Sequence, residues 1–385
     1  MRILHVVPTY LPATRYGGPI HAVHGLCRSL AQRGHEVDVV TTNIDGSGRS
    51  PVPLGKAVNL DGVQVHYFEP APLPFARRLF FSSSMRGWLR GHAREYDIAH
   101  LHSVFLAPTW AAARAASRAD LPYVISPRGM LVPELIDRKS RLLKRAWIAA
   151  VEQQTFAHAA AVHFTARQEW DDAVRTKIFL PAPFVVPNGT DLPPLDLLSR
   201  RTSKILFLGR INWKKGIDLL IDAMALLPEV RLIVAGNDEE SLLVTLREQA
   251  QRNGTLERIE FAGPVSGAAK QTLLQTAAAL ILPSHSENFG NVVLEAMAAS
   301  TPVIVSRNVG LAEDVERSRA GIVTTNVPVE LAAAIRDLLA NDRWRTEMGA
   351  RGRALVQEAF TWAAVAARME QHYDRIIGTT RSARG

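Results

Sequence analysis

A strand-to-helix connection is predicted for the sequence Pro283-Ser284-His285-Ser286-Glu287-Asn288-Phe289-Gly290-Asn291, which runs on to Glu295. The preceding residues 278–282 (Ala-Ala-Leu-Ile-Leu) indicate a short apolar strand, and residues 292–299 indicate a helix of mostly small side chains. Proteins with alternating strands and helices bind ligands at such connections, at the carboxyl ends of their strands. The sequence here therefore indicates an α/β fold and a binding site at the same place.

The residue types in this connection favour one ligand chemistry. Gly290 lets the backbone approach a ligand closely, and the free N–H groups of the helix start favour an anion such as a phosphate. Glu287 and Glu295 would repel that anion, so we expect them to bind neutral hydroxyl groups of a sugar or a ribose. A phosphate beside such hydroxyl groups indicates a nucleotide-sugar.

Strand and helix patterns alternate over nearly the whole chain, which is typical of parallel α/β architecture. In the first half, strands are predicted at residues 2–7, 36–41, 63–68, 98–101, 123–126, 161–164 and 184–186, and helices at 20–32, 76–95, 107–119, 139–155 and 166–175. In the second half, strands are predicted at 204–208, 231–235, 258–261, 278–282, 302–306 and 321–324, and helices at 217–227, 241–252, 266–275, 292–299 and 330–339. A last helix is predicted to end at residue 377, before a disordered tail at 378–385.

The chain is expected to form two domains. Its 385 residues suffice for two cores, and the proline-rich turn sequence at 187–194 interrupts the alternation. We assign residues 1–188 to the first domain, 189–202 to a linker and 203–360 to the second domain. The predicted fold class is two tandem Rossmann-like, doubly wound domains that face each other across a cleft.

The composition indicates where the protein works. Cys27 is the single cysteine, so an internal disulfide is excluded and a reducing compartment is expected. The first predicted strand starts at Arg2 without a leader pattern before it, and no segment has the ~20 apolar residues of a membrane span. We therefore expect a cytoplasmic protein.

The net charge of +8 lies in the first domain. Residues 1–188 contain 22 Lys and Arg against 14 Asp and Glu, whereas the remainder has 23 of each. Residues 73–94 combine large apolar side chains with arginines and contain no carboxylate, and residues 138–147 add a second basic stretch that ends at Trp147. Basic residues beside exposed aromatic ones bind anionic bilayers. Either this domain rests on the inner face of the plasma membrane, or these apolar residues form ordinary helix cores.

A cationic turn follows the first strand of the second domain. The sequence Gly209-Arg210-Ile211-Asn212-Trp213-Lys214-Lys215-Gly216 connects that strand to a helix. Arg210 can bind two oxygens of a diphosphate at once, and Lys215 adds a compact positive charge. Together they would stabilise a nucleoside-diphosphate leaving group without a metal, although such residues also occur as ordinary surface cations. The sequence shows neither a cluster with metal-ligand spacing nor an Asp-x-Asp motif, so no metal is expected.

A glycine pair follows the first strand, in Tyr16-Gly17-Gly18-Pro19. Glycines before a proline at a helix start either present N–H groups to an anion or simply form a turn. A dinucleotide-binding fold would need G-x-G-x-x-G and an acidic residue at the end of the second strand, which here reads Thr41-Thr42-Asn43. A nicotinamide dinucleotide is therefore not expected.

Taken in order, these motifs resemble the family-4 retaining glycosyltransferases of the GT-B fold. The specific signs are the cationic motif and the pair of glutamates with seven residues between them: Gly209-Arg210, Lys215-Gly216, Glu287 and Glu295. Weaker similarities run from end to end of the chain: Gly17-Gly18, Pro187-Asn188-Gly189 with Asp191, and Phe360-Thr361-Trp362. In that family the last of these begins a helix, here 361–377, that crosses back onto the first domain.

The resemblance implies a role for each motif. Arg210 and Lys215 would bind the donor diphosphate, Glu295 the ribose hydroxyls, and Glu287 the transferred sugar. The remaining predicted donor-binding residues are loop residues, several of which would act through backbone N–H groups: Gly17, Gly18, Asn288, Phe289, Gly290 and Asn291.

One position departs from the family pattern. Many relatives have a histidine after the strand at 123–126, where this chain reads Ser126-Pro127-Arg128. An arginine cannot act as a general base at neutral pH, so Arg128 is a candidate to hold an acceptor phosphate or the leaving group. Retaining GT-B enzymes are thought to take the acceptor proton with a phosphate oxygen of the leaving group. His102, after the strand at 98–101, is the other catalytic candidate in this domain.

The sequence thus predicts a metal-independent, retaining hexosyltransferase with a UDP- or GDP-sugar as donor and no prosthetic group. The expected acceptor is a saccharide, lipid-linked, in the synthesis of a surface polysaccharide or glycolipid. Three alternatives are a non-catalytic binder of nucleotide-sugars or saccharides, a GT-B isomerase of UDP-N-acetylhexosamine, and a basic nucleic-acid binder. The last is disfavoured because the sequence contains no recognised nucleic-acid module.

Overall fold

The chain forms two compact units, each built on its own sheet. The structure, a computed structural model, describes all residues except 14, 16, 134, 135, 137–140, 196–201 and 383–385, and it leaves out the side chains of 141–143 and 381. One unit comprises Met1–Asn188 together with Trp362–Gly385, and the other comprises Gly189–Thr361.

The first unit contains an eight-stranded sheet. The strands of this unit are β1 Arg2–Thr9, β2 Glu36–Thr42, β3 Ile44–Asp45, β4 Gly48–Arg49, β5 Ala57–Leu60, β6 Val63–Phe68, β7 Ile98–His102, β8 Tyr123–Ser126, β9 Ala161–Phe164 and β10 Pro183–Val185. Of these, β3 and β4 form a separate small hairpin, and the other eight form the sheet. The order is β10-β9-β8-β7-β1-β2-β6-β5, and every pair except β5–β6 is parallel. Since β1 lies between β2 and β7, the strand order reverses there, at a topological switch point.

Helices cover the faces of this sheet. They are α1 Gly18–Gln32, α2 Pro74–Arg78, α3 Ser83–His92, α4 Ala107–Arg118, α5 Arg141–Trp147, α6 Gln153–Ala157 and α7 Arg167–Arg175, with a π-helical turn at Ile148–Glu152 between α5 and α6. Two apolar clusters fill the space between these helices and the two faces of the sheet.

The second unit contains a six-stranded parallel sheet. Its strands are β11 Lys204–Leu208, β12 Arg231–Ala235, β13 Ile259–Gly263, β14 Ala279–Leu282, β15 Val303–Ser306 and β16 Gly321–Thr324, and its helices are α8 Ile217–Met224, α9 Leu243–Arg252, α10 Gly267–Thr276, α11 Asn291–Ala298, α12 Ala312–Ser318, α13 Pro328–Ala340 and α14 Asp342–Leu355. The order β13-β12-β11-β14-β15-β16 reverses between β11 and β14. Apart from Lys204 at the start of β11, both strands are apolar and buried on both faces, as expected in a sheet covered by helices on two sides.

The last helix, α15 Trp362–Ser382, belongs to the first unit. The Trp362 ring packs on Gly25 of α1, where a Cβ atom would lie 2.2 Å from that ring. The helix continues past residue 377, so the predicted disorder at 378–382 is wrong. The hydroxyl groups of Thr379 and Thr380 donate to the carbonyl oxygens of Arg375 and Ile376, at 2.9 Å each.

The predicted helix at 76–95 is also wrong. It is divided into α2 and α3, because Phe80 has a left-handed backbone (φ 58°) and the Ser82 hydroxyl accepts the Met85 N–H as an N-cap. The helices α12 and α14 and the strands β3, β4 and β5 were not predicted. The predicted helix at 139–155 and linker at 189–202 lie partly outside the described residues. Among the described residues, no helix is long and apolar enough to cross a membrane.

Candidate active site

Two loops follow adjacent strands at the switch point of the second sheet. The first connects β11 to α8, and the second connects β14 to α11. The two strands pair in parallel, with Ile205 opposite Ala279, so both loops leave the same edge of the sheet. The two strongest sequence motifs, which are 72 residues apart at Lys215 and Glu287, therefore lie together.

Backbone contacts join these loops to each other. The N–H of His285 donates to the carbonyl oxygen of Lys214 at 2.7 Å. Gly216, which precedes α8, has φ 63° and lies so close to the second loop that a Cβ atom there would be 2.1 Å from the carbonyl oxygen of Pro283. Only glycine fits this position, because a side chain would meet both the strained backbone and the neighbouring carbonyl.

Lys215 and Glu287 form the central ion pair of the site. The Lys215 ammonium donates directly to the Glu287 carboxylate, and the two side chains are 13% and 19% exposed. The Glu287 backbone is fixed on both sides, since its N–H donates to Asn308 at 2.9 Å and its carbonyl accepts from Gly310 at 3.0 Å. The loop thus presents a lysine and a carboxylate in a fixed, partly dehydrated position, where electrostatic interactions are stronger than in water.

Arg210 lies at the more open side of the first loop. One of its guanidinium nitrogens donates to both oxygens of Glu239, at 2.8 and 3.0 Å, and Asn212 donates to the same carboxylate at 3.0 Å. Both members of the ion pair are about 40% exposed, and pairs of this kind contribute only ~0.2–1 kcal/mol. Arg210 can therefore exchange Glu239 for a phosphate at little cost.

The helix α11 begins at the predicted anion site. Gly290, its N-cap, has φ 96°, and the preceding Phe289 side chain is buried in the core. The neighbouring Asn288 and Asn291 are half-buried. Glu295, in the second turn, accepts from the Lys270 ammonium of α10 at 2.7 Å.

The sequence prediction included neither Lys270 nor Glu239. Lys270 is 25 positions from the carboxylate that it contacts, and Glu239 is 29 positions from its arginine. Neither lies in a motif, so no sequence signal distinguished them from other surface charges. His285 is exposed, and its ring nitrogen Nδ1 lies 3.3 Å from the Asn326 amide nitrogen.

In the first unit, two candidate residues lie at the start of α1. Gly17 is its N-cap with φ 73°, and Gly18 is its first residue. This helix follows β1, which is adjacent to β7 and its terminal residue His102 at the switch point of the first sheet. Tyr16, the first residue of the predicted motif, lies outside the described residues.

Arg128 is held in place by neutral groups. It follows β8 with a left-handed backbone (φ 55°). Its guanidinium donates to Nδ1 of His102 at 3.2 and 3.3 Å and to the side-chain oxygen of Asn188 at 2.8 Å. Among the described residues no carboxylate forms an ion pair with it, and burial lowers its pKa. This cation is therefore positioned and half-buried, and it forms no ion pair in the described part of the chain, while the nearby Glu169 charge acts to raise its pKa.

His102 is one of four buried histidines whose tautomers follow from their partners. Because Nδ1 of His102 accepts from Arg128, its Nε2 carries the proton and donates to Nδ1 of His5 at 2.9 Å. His163 donates through Nε2 to the carbonyl oxygen of Val186 at 2.7 Å, and His100 accepts from the Tyr373 hydroxyl at 2.6 Å. The rings of His102 and His5 are therefore neutral.

The electrostatics support neutral rings. Burial, with the Arg128 charge nearby, lowers the pKa of His5 to about 3 and that of His163 to about 3. Burial also lowers the pKa of His100 and His102 well below the usual value. A nitrogen of His102 that accepts from an arginine cannot also take a proton, so this ring positions Arg128.

Three of these histidines come close enough together to suggest a metal. Potential ligand atoms of His5, His100 and His102 lie within 4.8 Å of one another. However, Nδ1 of His102 already accepts hydrogen bonds from Arg128, and Nε2 of the same ring donates its proton to His5. A metal would have to displace a proton beside a fixed positive charge, so these residues do not fit a cation.

Comparisons with known proteins agree with this arrangement. The "Glycosyl transferase 4-like domain" model matches residues 17–189, and the "Glycosyl transferases group 1" model matches residues 197–355. The chain is 29% identical to glycogen synthase of Mycobacterium tuberculosis over 97% of its length and 94% of that protein. It is also 29% identical to D-inositol 3-phosphate glycosyltransferase of Xylanimonas cellulosilytica, over 97% and 95% of the two chains.

Solved structures share the fold. Sucrose-phosphate synthase from Thermosynechococcus elongatus superposes with a TM-score of 0.75 at 21% identity, covering 98% of this chain and 100% of that one. Anabaena HepE, solved in complex with UDP-glucose, gives a TM-score of 0.73 at 18% identity over 97% and 100%. The chain belongs to the family-4 glycosyltransferases of the GT-B fold, and the predicted α/β fold class with two Rossmann-like units is confirmed.

Proposed function

We propose that this protein is a retaining hexosyltransferase that uses a UDP- or GDP-sugar as donor. The observation that carries the proposal is the contact between Lys215 and Glu287, with Arg210 on the same loop, at the switch point of the second sheet. A largely covered lysine and a more exposed arginine fit a diphosphate. Carboxylates that are already paired with lysines fit sugar and ribose hydroxyls, because their charge is partly neutralised.

The ion pairs of Lys215 and Arg210 would change partner when the donor binds. The diphosphate takes the Lys215 ammonium and the Arg210 guanidinium, which leaves Glu287 to accept from hydroxyls of the sugar. Glu295 accepts from the ribose while Lys270 continues to neutralise it. The N–H groups at the start of α11 supply further donors, and Gly17 and Gly18 remain predicted contacts of the diphosphate.

The transfer would leave the anomeric configuration unchanged. The bond between the anomeric carbon and the diphosphate oxygen breaks as the acceptor hydroxyl oxygen attacks from the same face. The acceptor proton passes to an oxygen of the departing diphosphate, so no protein base takes part. Lys215 and Arg210 stabilise the negative charge that develops on the leaving group. Electrostatic stabilisation of this kind is usually the largest single contribution to the rate enhancement of an enzyme. Since they supply this charge, no metal is required.

The acceptor side of the proposal rests on Arg128. The Arg128 guanidinium is held by His102 and Asn188 and forms no ion pair with a carboxylate among the described residues. It therefore suits a phosphate or pyrophosphate of the acceptor. A saccharide linked to a lipid through such a group has this chemistry. The peripheral membrane position that we propose rests on the exposed apolar and basic residues near α2, such as Leu73 and Phe75, which are 69% and 64% exposed.

The test is a transfer assay with purified protein in the presence of a chelator. UDP- and GDP-hexoses are offered with saccharides that carry or lack a phosphate, and the product anomer is assigned by NMR. We expect transfer with retention that persists without free metal. An inverted product or loss of activity on chelation would overturn the mechanism, and a rearranged donor without an acceptor would indicate an isomerase.

Arg128 is tested in the same assay by Arg128→Gln. The variant should lose at least about tenfold in kcat/KM with the phosphorylated acceptor, because a charge-assisted hydrogen bond contributes ~1.5–3 kcal/mol, and little with the unphosphorylated one. Equal losses with both acceptors would instead place Arg128 at the leaving group.

A further inference from the structure

A groove in the first unit runs between α4 and the segment Ile148–Ala157. Two adjoining cavities of about 330 and 190 Å³ lie along it, and both are lined by Trp110 and Val151. One helix face supplies one wall of this α4 groove, with Ala107, Trp110, Arg114, Ser117 and Arg118 at helical spacing. None of these residues belongs to the donor site.

The larger cavity, next to the start of α4, is lined by apolar side chains alone. Phe75, Leu79 and Trp147 are among them. The Trp147 ring is fixed, because its N–H donates to the buried carboxylate of Glu152 at 2.9 Å. Phe75 at the rim is 64% exposed, as is the neighbouring Leu73 at 69%. An open cavity of this composition suits a hydrocarbon chain.

The smaller cavity, at the end of α4, has two arginines in its lining. Arg114 and Arg118 are exposed, and in the described part of the chain neither forms an ion pair. His158 donates its Nδ1–H to the Gln154 carbonyl oxygen at 2.8 Å. No described carboxylate lines either cavity. This end of the groove therefore suits an anionic headgroup.

The order of residues along α4, from apolar to basic, matches the order of regions through one lipid leaflet, from hydrocarbon to charged headgroup. Ala107 and Arg118 are eleven residues apart, which is about 16 Å in a helix and close to the ~15 Å hydrocarbon thickness of one leaflet. Trp110 lies between the apolar and basic ends, where tryptophan is enriched in membrane proteins. The guanidinium groups of Arg86 and Arg114 lie 5.6 and 5.5 Å from its ring centre and hold it there.

We propose that the α4 groove binds one anionic glycerophospholipid of the membrane, separately from any acceptor. An acyl chain occupies the cavity between Phe75 and Trp147, and the phosphate contacts Arg114 and Arg118. The proposal extends the membrane position proposed above but is independent of donor chemistry. Lipid binding is measured without a nucleotide-sugar. A negative result would therefore contradict the lipid site and leave the proposed transferase activity untouched.

The experiment uses the full chain and vesicles of phosphatidylcholine, with or without phosphatidylglycerol. We expect co-sedimentation only with phosphatidylglycerol. Since each cation near an anionic surface contributes ~1 kcal/mol, Arg114→Gln with Arg118→Gln should weaken binding by about 30-fold. The matched control is Arg231→Gln with Arg252→Gln, two exposed arginines of the second unit that remove the same charge outside the groove and both basic stretches, and that should weaken binding less than about threefold.

A second readout locates the acyl chain. Phosphatidylglycerol with brominated chains should quench the fluorescence of Trp110 and Trp147, and the variant Trp110→Phe with Trp147→Phe should lose that quenching while its circular dichroism is unchanged. Equal weakening by both arginine pairs would show a diffuse basic surface and overturn the proposal. Equal binding to both vesicle types, or quenching that persists in the tryptophan variant, would also overturn it.

Discussion

At the scale of single residues, the donor site consists of cations that are each held by a carboxylate of the same unit. The pairs differ in exposure: Lys215 and Glu287 are mostly covered, whereas Arg210 and Glu239 are about 40% exposed. Screening by water is weaker at the covered pair. Lys215 should therefore contribute more than Arg210 to the stabilisation of a leaving diphosphate.

The variant Lys215→Met should lower kcat by about 10²–10³-fold, which is the usual effect of removing one fixed charge donor at a transition state. Steady-state transfer with saturating donor measures this. The control is Lys204→Met, which removes a lysine at the other end of β11 whose partner is the exposed Glu260. Wild-type turnover by Lys215→Met would contradict the proposed leaving-group role.

The sequence predicted the position of those candidate residues that follow a strand end within one loop. Arg210, Lys215 and Glu287 are of this kind, because their distance from an apolar strand fixes their place at the sheet edge. Lys270 and Glu239 were missed, since each reaches the site from a helix or loop that only the tertiary fold brings near. The protonation of His102 also required the structure, because it depends on His5 of β1 and on Arg128, which follows β8.

At the scale of structural elements, Gly216 determines whether the two donor-site loops can touch. The variant Gly216→Ala should destabilise the protein by more than the ~1–2 kcal/mol of a left-handed alanine, because its Cβ would overlap the carbonyl of Pro283. It should also weaken nucleotide binding by tenfold or more, since the loops separate. Urea unfolding and calorimetric titration with UDP and GDP measure the two effects.

The control for that variant is Gly254→Ala. Gly254 has φ 66° in the same sheet unit, but a Cβ there meets nothing within 4 Å. It should therefore show only the backbone cost and bind nucleotide normally. Equal losses in the two variants would mean that loop contact at Gly216 does not matter.

The bounds of strands and helices were predicted well where burial of apolar side chains determines them, and poorly where local backbone geometry determines them. The parallel strands appear as apolar runs, and β8, β9, β11, β12 and β16 have the predicted bounds. The break between α2 and α3 was missed because apolar and basic residues continue through it at helical spacing. Its sequence sign is the run Ser82-Ser83-Ser84, in which the first serine is an N-cap.

At the scale of the whole molecule, four neutral histidines buried in the first unit make stability depend on pH. In the unfolded chain each has a pKa near 6.5 and binds a proton as the pH falls, whereas in the folded protein the pKa of His5 and His163 is about 3 and that of His100 and His102 is well below the usual value. The unfolded state thus binds more protons, so stability is fully present above pH ~7 and is lost progressively as the pH falls below 6.5.

From pH 7.5 to pH 6.0, this difference should lower the free energy of unfolding of the first unit by ~0.8 kcal/mol for each histidine, or ~3 kcal/mol for four. Hydrogen exchange of peptides from β1 and β7, compared with β14 in the second unit, measures it. The variant His163→Gln keeps a donor for the Val186 carbonyl but does not titrate, so it should remove about a quarter of the pH dependence. Equal protection of β7 at both pH values would contradict the neutral assignment, because charged rings in the folded state would leave the proton balance unchanged.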